Sequence, residues 1–439
     1  MSKLHVNIIS KERILKSSPT PLHSQRYNLS FLDQSAIQTY MRFILFYPNV
    51  DDFSTKIDLL KRSLSHTLNV FYPFAGYFAG EESAVVGGDE FGAEFVEAEV
   101  GEGITLNDVV KDPDFVGLEK LFLPRKEIQR GEDGEVQLSV QATGFCCGGV
   151  AVGVCVSHKI ADGVSATTFM KYWATVASNE QKLGMDNLNI DLPPTYDGPR
   201  IWPKQAISAS RPLPDLDMGT GTVTKRFVFD ATSIANLRAK ATKIDEPNVT
   251  RVEAITALMW SCLISLSPER EKVLMFAINL RQRLSPPLSN QSFGNITKSV
   301  LMPIGKPSFL GSRPELCHLV ELFRESVTKV DDGYSRKTHI CPIINMILHE
   351  PFLKVVERMQ ENLYDLYFVT SWCRLPFYEI DFGWGRPIWF TNPFRSNFPI
   401  ILLTDEADGI GVEVLVCLSK EDMAKFENDP ILLAFSNAR

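Results

Sequence analysis

No stretch of this chain is apolar for the roughly 20 residues that a membrane-spanning helix needs. The longest such runs, Val150 to Val156 and Phe398 to Leu403, are far shorter. Basic runs are also missing. With a net charge of −8 and an isoelectric point near 5.5, the chain lacks the positive stripe that displaces counterions from a nucleic acid. The eight cysteines include no Cys-x-x-Cys pair and no His at ligand spacing, so a zinc site or redox dithiol has no support. Most are expected to be buried, reduced and inert. The amino-terminal segment mixes Lys3, Lys11, Glu12 and Arg13 with short apolar pieces. That is neither a signal-peptide core nor an acid-poor transit peptide, and a cytoplasmic location is the default expectation. No internal repeat or low-complexity tract is present.

What is present is ordinary globular composition, 44% hydrophobic and 22% charged over 439 residues, a length that favours two domains. Strand patterns cover Met41 to Tyr47, Glu135 to Phe145 and Val150 to Val156, and helical spacing covers Ile57 to Val70 and Val164 to Ala177. The class is mixed α/β. From about Asn187 to Thr222 periodicity dissolves among prolines, which marks a crossover. The expected division is therefore 1–190, a linker at 191–222, and 223–439. A strand at Lys225 to Phe229 and a helix from Ala231 to Ile244 open the second unit. Thr250 and Glu253 then form a helix-start pair for which capping is a sufficient explanation. A strand at Val273 to Ile278 follows, and Pro399 to Thr404 and Gly411 to Leu418 suit a hairpin.

Two segments could carry chemistry. Ser157-His158-Lys159-Ile160-Ala161-Asp162-Gly163 places a histidine at the end of an apolar strand, with Asp162 and Gly163 leading into a helix. The spacing alone is equally served by a structural histidine and a helix-capping aspartate. Its position at a strand end favours a site, because loops at such edges hold catalytic groups on a rigid frame. An imidazole titrating near neutrality can accept a hydroxyl proton and pass it on. A serine hydrolase is the natural competitor, but the chain has no Gly-x-Ser-x-Gly elbow. The second segment runs from Thr370 to Pro387 and contains Asp381-Phe382-Gly383-Trp384-Gly385. A tryptophan between two glycines is either a packing wedge or a ligand wall.

Together these segments resemble the plant acyl-CoA-dependent acyltransferases of the BAHD type. His158-Lys159-Ile160-Ala161-Asp162 matches the His-x-x-x-Asp motif, and Asp381 to Gly385 matches Asp-Phe-Gly-Trp-Gly. Leu32-Asp33, Tyr72 to Gly76, Asn279-Leu280-Arg281-Gln282-Arg283 and Ser292-Phe293-Gly294-Asn295 extend the likeness along the chain. The resemblance implies two α/β domains of the chloramphenicol-acetyltransferase type with a solvent channel between them, a monomer, no bound cofactor or metal, and acyl-CoA as co-substrate. It implies that His158 is the general base, that Asp162 positions its loop through Arg281, and that Asp381 is structural with an arginine such as Arg283 as partner. A segment near 386–409 would pack on the N-terminal domain. Loss of Asp162 or Asp381 would then harm folding as well as rate.

A donor must also meet the oxyanion, and Thr370, Trp372 and Trp384 are the candidates. The residues that contact CoA are not legible. Tyr77 stands where the family usually has Arg. The opening Ile14 to Pro21 and the stretch Thr370 to Leu375 look like the branch containing vinorine synthase and other alkaloid or terpenoid acetyltransferases. The expected reaction is acetyl transfer to a bulky alcohol. Three alternatives remain open: an N-acyltransferase, a peptide-condensation domain (disfavoured because Ser157 stands where those have a second His), and a non-catalytic binding protein on the same frame.

Overall fold

The computed structural model describes the chain except for residues 1–3, 20–25, 38, 51, 80–83, 88–90, 125–135, 184–192, 206–220, 244–247, 269, 305–312, 338–360, 362–363, 395, 397 and 439. Most of the expected linker and Cys341 lie outside the described residues. The strands are β1 (Val6–Leu15), β2 (Arg26–Asn28), β3 (Tyr40–Tyr47), β4 (Gly76–Ala79), β5 (Ala84–Gly87), β6 (Gly92–Val100), β7 (Leu138–Gly144), β8 (Val150–Ser157), β9 (Thr222–Phe229), β10 (Glu271–Asn279), β11 (Thr297–Ile304), β12 (Tyr364–Ser371), β13 (Trp389–Thr391), β14 (Ile400–Asp405), β15 (Val412–Ser419) and β16 (Asn437–Ala438).

The chain divides into two compact units that are not continuous in sequence. Unit 1 comprises 1–212, 287–296 and 375–394; unit 2 comprises 213–286, 297–374 and 395–439. Residues 375–394 belong to unit 1, whereas 395 onward belong to unit 2. The return has a plain cause. Trp389, Phe390 and Thr391 pair antiparallel with Phe46, Leu45 and Ile44, covering the edge of β3 that would otherwise offer unpaired amides.

Unit 1 is built on a six-stranded sheet in the order β1-β6-β7-β8-β3-β13. β3 and β8 are buried on both faces, which is why they read as continuous apolar runs rather than alternating ones. One face carries Ile44, Phe46, Leu118, Phe122 and Trp389. The helices Phe53–Val70 and Gly163–Leu183 pack together in the same unit, joined where the indole of Trp173 donates to the Leu60 carbonyl (3.2 Å) and Ser63 Oγ (3.0 Å). β1 escaped the sequence reading because it is a largely exposed edge strand bearing Lys11, Glu12 and Arg13, with no apolar alternation to reveal it.

Unit 2 carries a seven-stranded sheet in the order β11-β10-β12-β14-β15-β9-β16. β10, β12 and β14 are mutually parallel, and the expected hairpin is β14 against β15. The helix Arg251–Ile264 begins with the anticipated capping box, Thr250 and Glu253 each bonding the other's backbone.

Candidate active site

His158 follows β8 directly, and its backbone amide donates to the Thr39 carbonyl at 2.8 Å. This fixes the half-buried imidazole at the sheet end. Its Nδ1 lies 3.1 Å from Asn295 Oδ1. Asn295 was missed as a site residue, although Ser292 to Asn295 had been singled out as part of the likeness. It sits 137 positions away in sequence, and only the fold brings the two together, within unit 1.

Asp162 accepts two backbone hydrogen bonds. Its Oδ1 accepts from Ser165 N (2.8 Å), capping the Gly163–Leu183 helix, and its Oδ2 accepts from Ile296 N (3.0 Å). The helix start therefore grips the loop that presents Asn295. Ser165 Oγ adds a second clamp by donating to the Gly294 carbonyl (2.9 Å) and accepting from Gly294 N (3.1 Å). Gly294 has φ +123, and a Cβ there would stand 3.0 Å from the Tyr27 hydroxyl, so no larger residue fits the loop unstrained.

Behind Asn295 lies Asp33, wholly buried. Its Oδ1 accepts from Asn295 N (2.8 Å) and Nδ2 (3.1 Å). Its Oδ2 accepts from Ser30 N (2.9 Å), Ser30 Oγ (2.7 Å) and Tyr27 Oη (3.1 Å). Burial pushes this carboxyl above its ordinary pKa, and the hydrogen bonds from Asn295 and Ser30 pull it back. All these groups donate, so the surroundings are complementary to the carboxylate. Burial and the Asp33 charge also push the Tyr27 phenol well up, which keeps it a donor.

In the second motif the partner of Asp381 differs from expectation. Asp381 Oδ1 accepts from Gly383 N (2.8 Å) and Gly385 N (2.9 Å) of its own loop, where both glycines have positive φ. Arg283 does not serve it. That guanidinium donates through Nη1 to the carbonyls of Val327 (3.1 Å) and Val330 (3.0 Å). The tight turn turns two amides toward the carboxylate, so an arginine is unnecessary.

Trp384 lies at the other end of β3 from His158. It packs edge-on against Tyr47, with ring centroids 6.0 Å apart. Tyr47 lies opposite Val150, at the far end of β3 from Tyr40, which lies opposite Ser157 next to His158. Seven residues of strand amount to about 23 Å. The indole Nε1 of Trp384 is buried without a hydrogen-bond partner. Trp384→Phe is thus expected to keep kcat within about two-fold and to leave stability unchanged or slightly raised, since it removes a donor that is already unsatisfied. A hundred-fold loss of kcat in steady-state assay would restore Trp384 to the reacting centre.

In unit 2, Thr370 lies on β12 beside Leu402 of β14, and Trp372 donates its backbone amide to the Leu403 carbonyl at 2.7 Å. Arg281 is fully buried, with its backbone amide donating to Asn279 Oδ1 at 3.0 Å and its Nη1 to the same atom at 3.3 Å. A groove of about 370 Å³ opens at the C-terminal ends of the parallel strands β10 and β12, lined among others by Thr250, Phe276, Asn279, Arg283 and Ser371. Such strand ends are where α/β sheets commonly hold ligands. Tyr77 packs tilted against Phe91, with ring centroids 4.3 Å apart and planes at 38°.

The sequence model of the Transferase family matches residues 4–433, and the chain belongs to this family, the BAHD acyltransferases. Limonoid 1-O-acetyltransferase of Citrus sinensis is 35% identical over 99% of both chains. A 17,18-epoxy-17-hydroxycur-19-ene N-malonyltransferase of Strychnos nux-vomica is 32% identical, covering 100% of this chain and 92% of that one. Among solved structures, vinorine synthase superposes with a TM-score of 0.77 at 31% identity, over 99% of each chain.

Proposed function

We propose that this enzyme transfers an acetyl group from acetyl-CoA to a hydroxyl of a polycyclic specialised metabolite of the terpenoid or alkaloid class, with His158 as general base. The observation that carries the mechanism is the contact between His158 Nδ1 and Asn295 Oδ1. It commits one ring nitrogen to a structural bond and leaves Nε2 for chemistry. Nε2 takes the proton of the acceptor hydroxyl as its oxygen adds to the thioester carbonyl. The tetrahedral oxyanion collapses, the C–S bond breaks, and the imidazolium returns its proton to the CoA thiolate.

The donor class is supported by the acetyltransferase among the relatives. Thr370 and Trp372 are the proposed oxyanion donors. Thr370→Val is expected to lower kcat by roughly a hundred-fold, and an unchanged kcat would remove Thr370 from that role.

The test is CoA release, followed with a thiol reagent, over a panel of acyl-CoAs against terpenoid, alkaloid and phenolic alcohols and the matching amines. An O-acetylated product identified by mass supports the reading. The N-malonyltransferase relative makes amine acylation the second reading, and an amide product with no ester would establish it. Binding of acceptor without CoA release for any pair would leave a non-catalytic binding protein.

A further inference from the structure

We infer that Asp33 is a positioning residue for acyl transfer: it fixes which way round the Asn295 amide sits, and through that amide which nitrogen of His158 carries the proton. The inference rests on His158 being the base, and it assigns to Leu32-Asp33 a task that the motif reading left empty.

The two ends of an asparagine amide are told apart by their partners. Asn295 Nδ2 stands 3.1 Å from Asp33 Oδ1 and 2.9 Å from the His158 carbonyl oxygen. A carboxylate and a carbonyl only accept, so the end facing them is the amide nitrogen. The other end, 3.1 Å from His158 Nδ1, is then the amide oxygen. It also only accepts, so Nδ1 carries the hydrogen. A neutral imidazole has one N–H, and the lone pair is left on Nε2, where a base needs it.

Turned over, Asn295 would present its NH2 to Nδ1 and demand the lone pair there. The proton would move to Nε2, and the ring could no longer accept from an alcohol. Asp33 opposes that flip because a carboxylate has no hydrogen to offer an amide oxygen. Its own orientation is held by Ser30 and Tyr27 on Oδ2, so Oδ1 is reserved for Asn295. The chain of command runs from Asp33 to Asn295 to His158 with no bond from Asp33 to the ring. An asparagine at position 33 could donate to the flipped amide and would remove one of the two constraints.

The test is Asp33→Asn in the full-length enzyme. Once circular dichroism shows the variant folded, kcat is expected to fall by roughly ten- to a hundred-fold, the range typical when an orienting partner of a histidine is lost. KM for the acyl-CoA should be unchanged. Histidine-15N NMR, with the His158 signals assigned by their absence in His158→Ala, should show Nδ1–H alone in wild type and a mixture of tautomers in the variant. In an Asn295→Ala background, Asp33→Asn should add nothing to the loss of kcat. A folded Asp33→Asn that keeps both kcat and the wild-type tautomer overturns the inference while leaving His158 as base. If His158→Ala keeps its rate, the proposed mechanism fails first and the inference with it. Should Asp33→Asn not fold, wild type alone decides. Nδ1–H on neutral His158 together with slow exchange of the Asn295 side-chain amide hydrogens is expected, and Nε2–H or exchange at the rate of an exposed amide refutes it.

Discussion

His158→Ala is expected to lower kcat by about 10²- to 10⁴-fold, the range for loss of a positioned general base, which corresponds to roughly 3–5 kcal/mol of barrier. Thermal stability should stay within about 1 °C of wild type, because a half-buried ring with one neutral hydrogen bond contributes little to folding, at most about 1 kcal/mol. The residual rate would come from positioning and oxyanion stabilisation, which this substitution leaves in place. The measurement is initial CoA release at saturating donor and acceptor, alongside a melting curve. A variant that keeps its rate would make His158 a structural residue. A variant that loses stability and rate together would show that the strand end depends on the ring.

Asp162→Ala is expected to do what His158→Ala does not, by damaging the fold and the rate together. Two backbone amides lose their acceptor. Ser165 N lies in the first turn of the Gly163–Leu183 helix, and removing its cap costs about 0.5–2 kcal/mol. Ile296 N is left facing no acceptor on a buried residue, at a further cost of about 1–3 kcal/mol. The sum, about 2–5 kcal/mol, should be plain in urea denaturation as a lower midpoint with an unchanged slope. The rate should fall too, because Ile296 follows Asn295 and the loop loses its grip on His158. Asp162→Asn should rescue only in part: an amide offers one acceptor end, and its NH2 would confront one of the two N–H groups. Full stability in both variants would show that the Asp162 bonds are incidental.

Much of this was legible in the sequence, and the part that was not has identifiable causes. The buried strands β3, β8, β10, β14 and β15 announced themselves because a strand covered on both faces is an unbroken apolar run. The capping box at Thr250 and Glu253 was readable because it is local, three residues from end to end. His158 and Asp162 were found as a pair, but spacing alone could not reveal that one carboxylate caps its helix and also accepts from Ile296 N across 134 positions. Asn295 and the function of Asp33 were beyond local reading, since their partners lie 137 and 262 positions away. The pairing of Asp381 with Arg283 failed for the opposite reason. A distant partner was expected where two amides of the same loop already met the carboxylate. That Trp384 lands at the other end of β3 from His158 was not legible either, because a one-dimensional motif does not say at which end of a sheet it lies.

The discontinuity of unit 1 bears on how the protein is made. Its histidine is buttressed by residues 287–296, which follow the opening 213–286 segment of unit 2, and its sheet is completed by β13, supplied only after most of unit 2 has been specified. As the chain leaves the ribosome, the first 212 residues can collapse around β3 and β8, but one flank of β3 stays open until residue 391 emerges. Synthesis at about 5–20 residues per second would hold that flank open for roughly ten seconds or more, long enough for a chaperone or a neighbouring nascent chain to find it. Cutting the gene near residue 212 to express the halves apart would deprive the first half of its last strand and of Asn295, leaving a sticky, misaligned fragment rather than a domain.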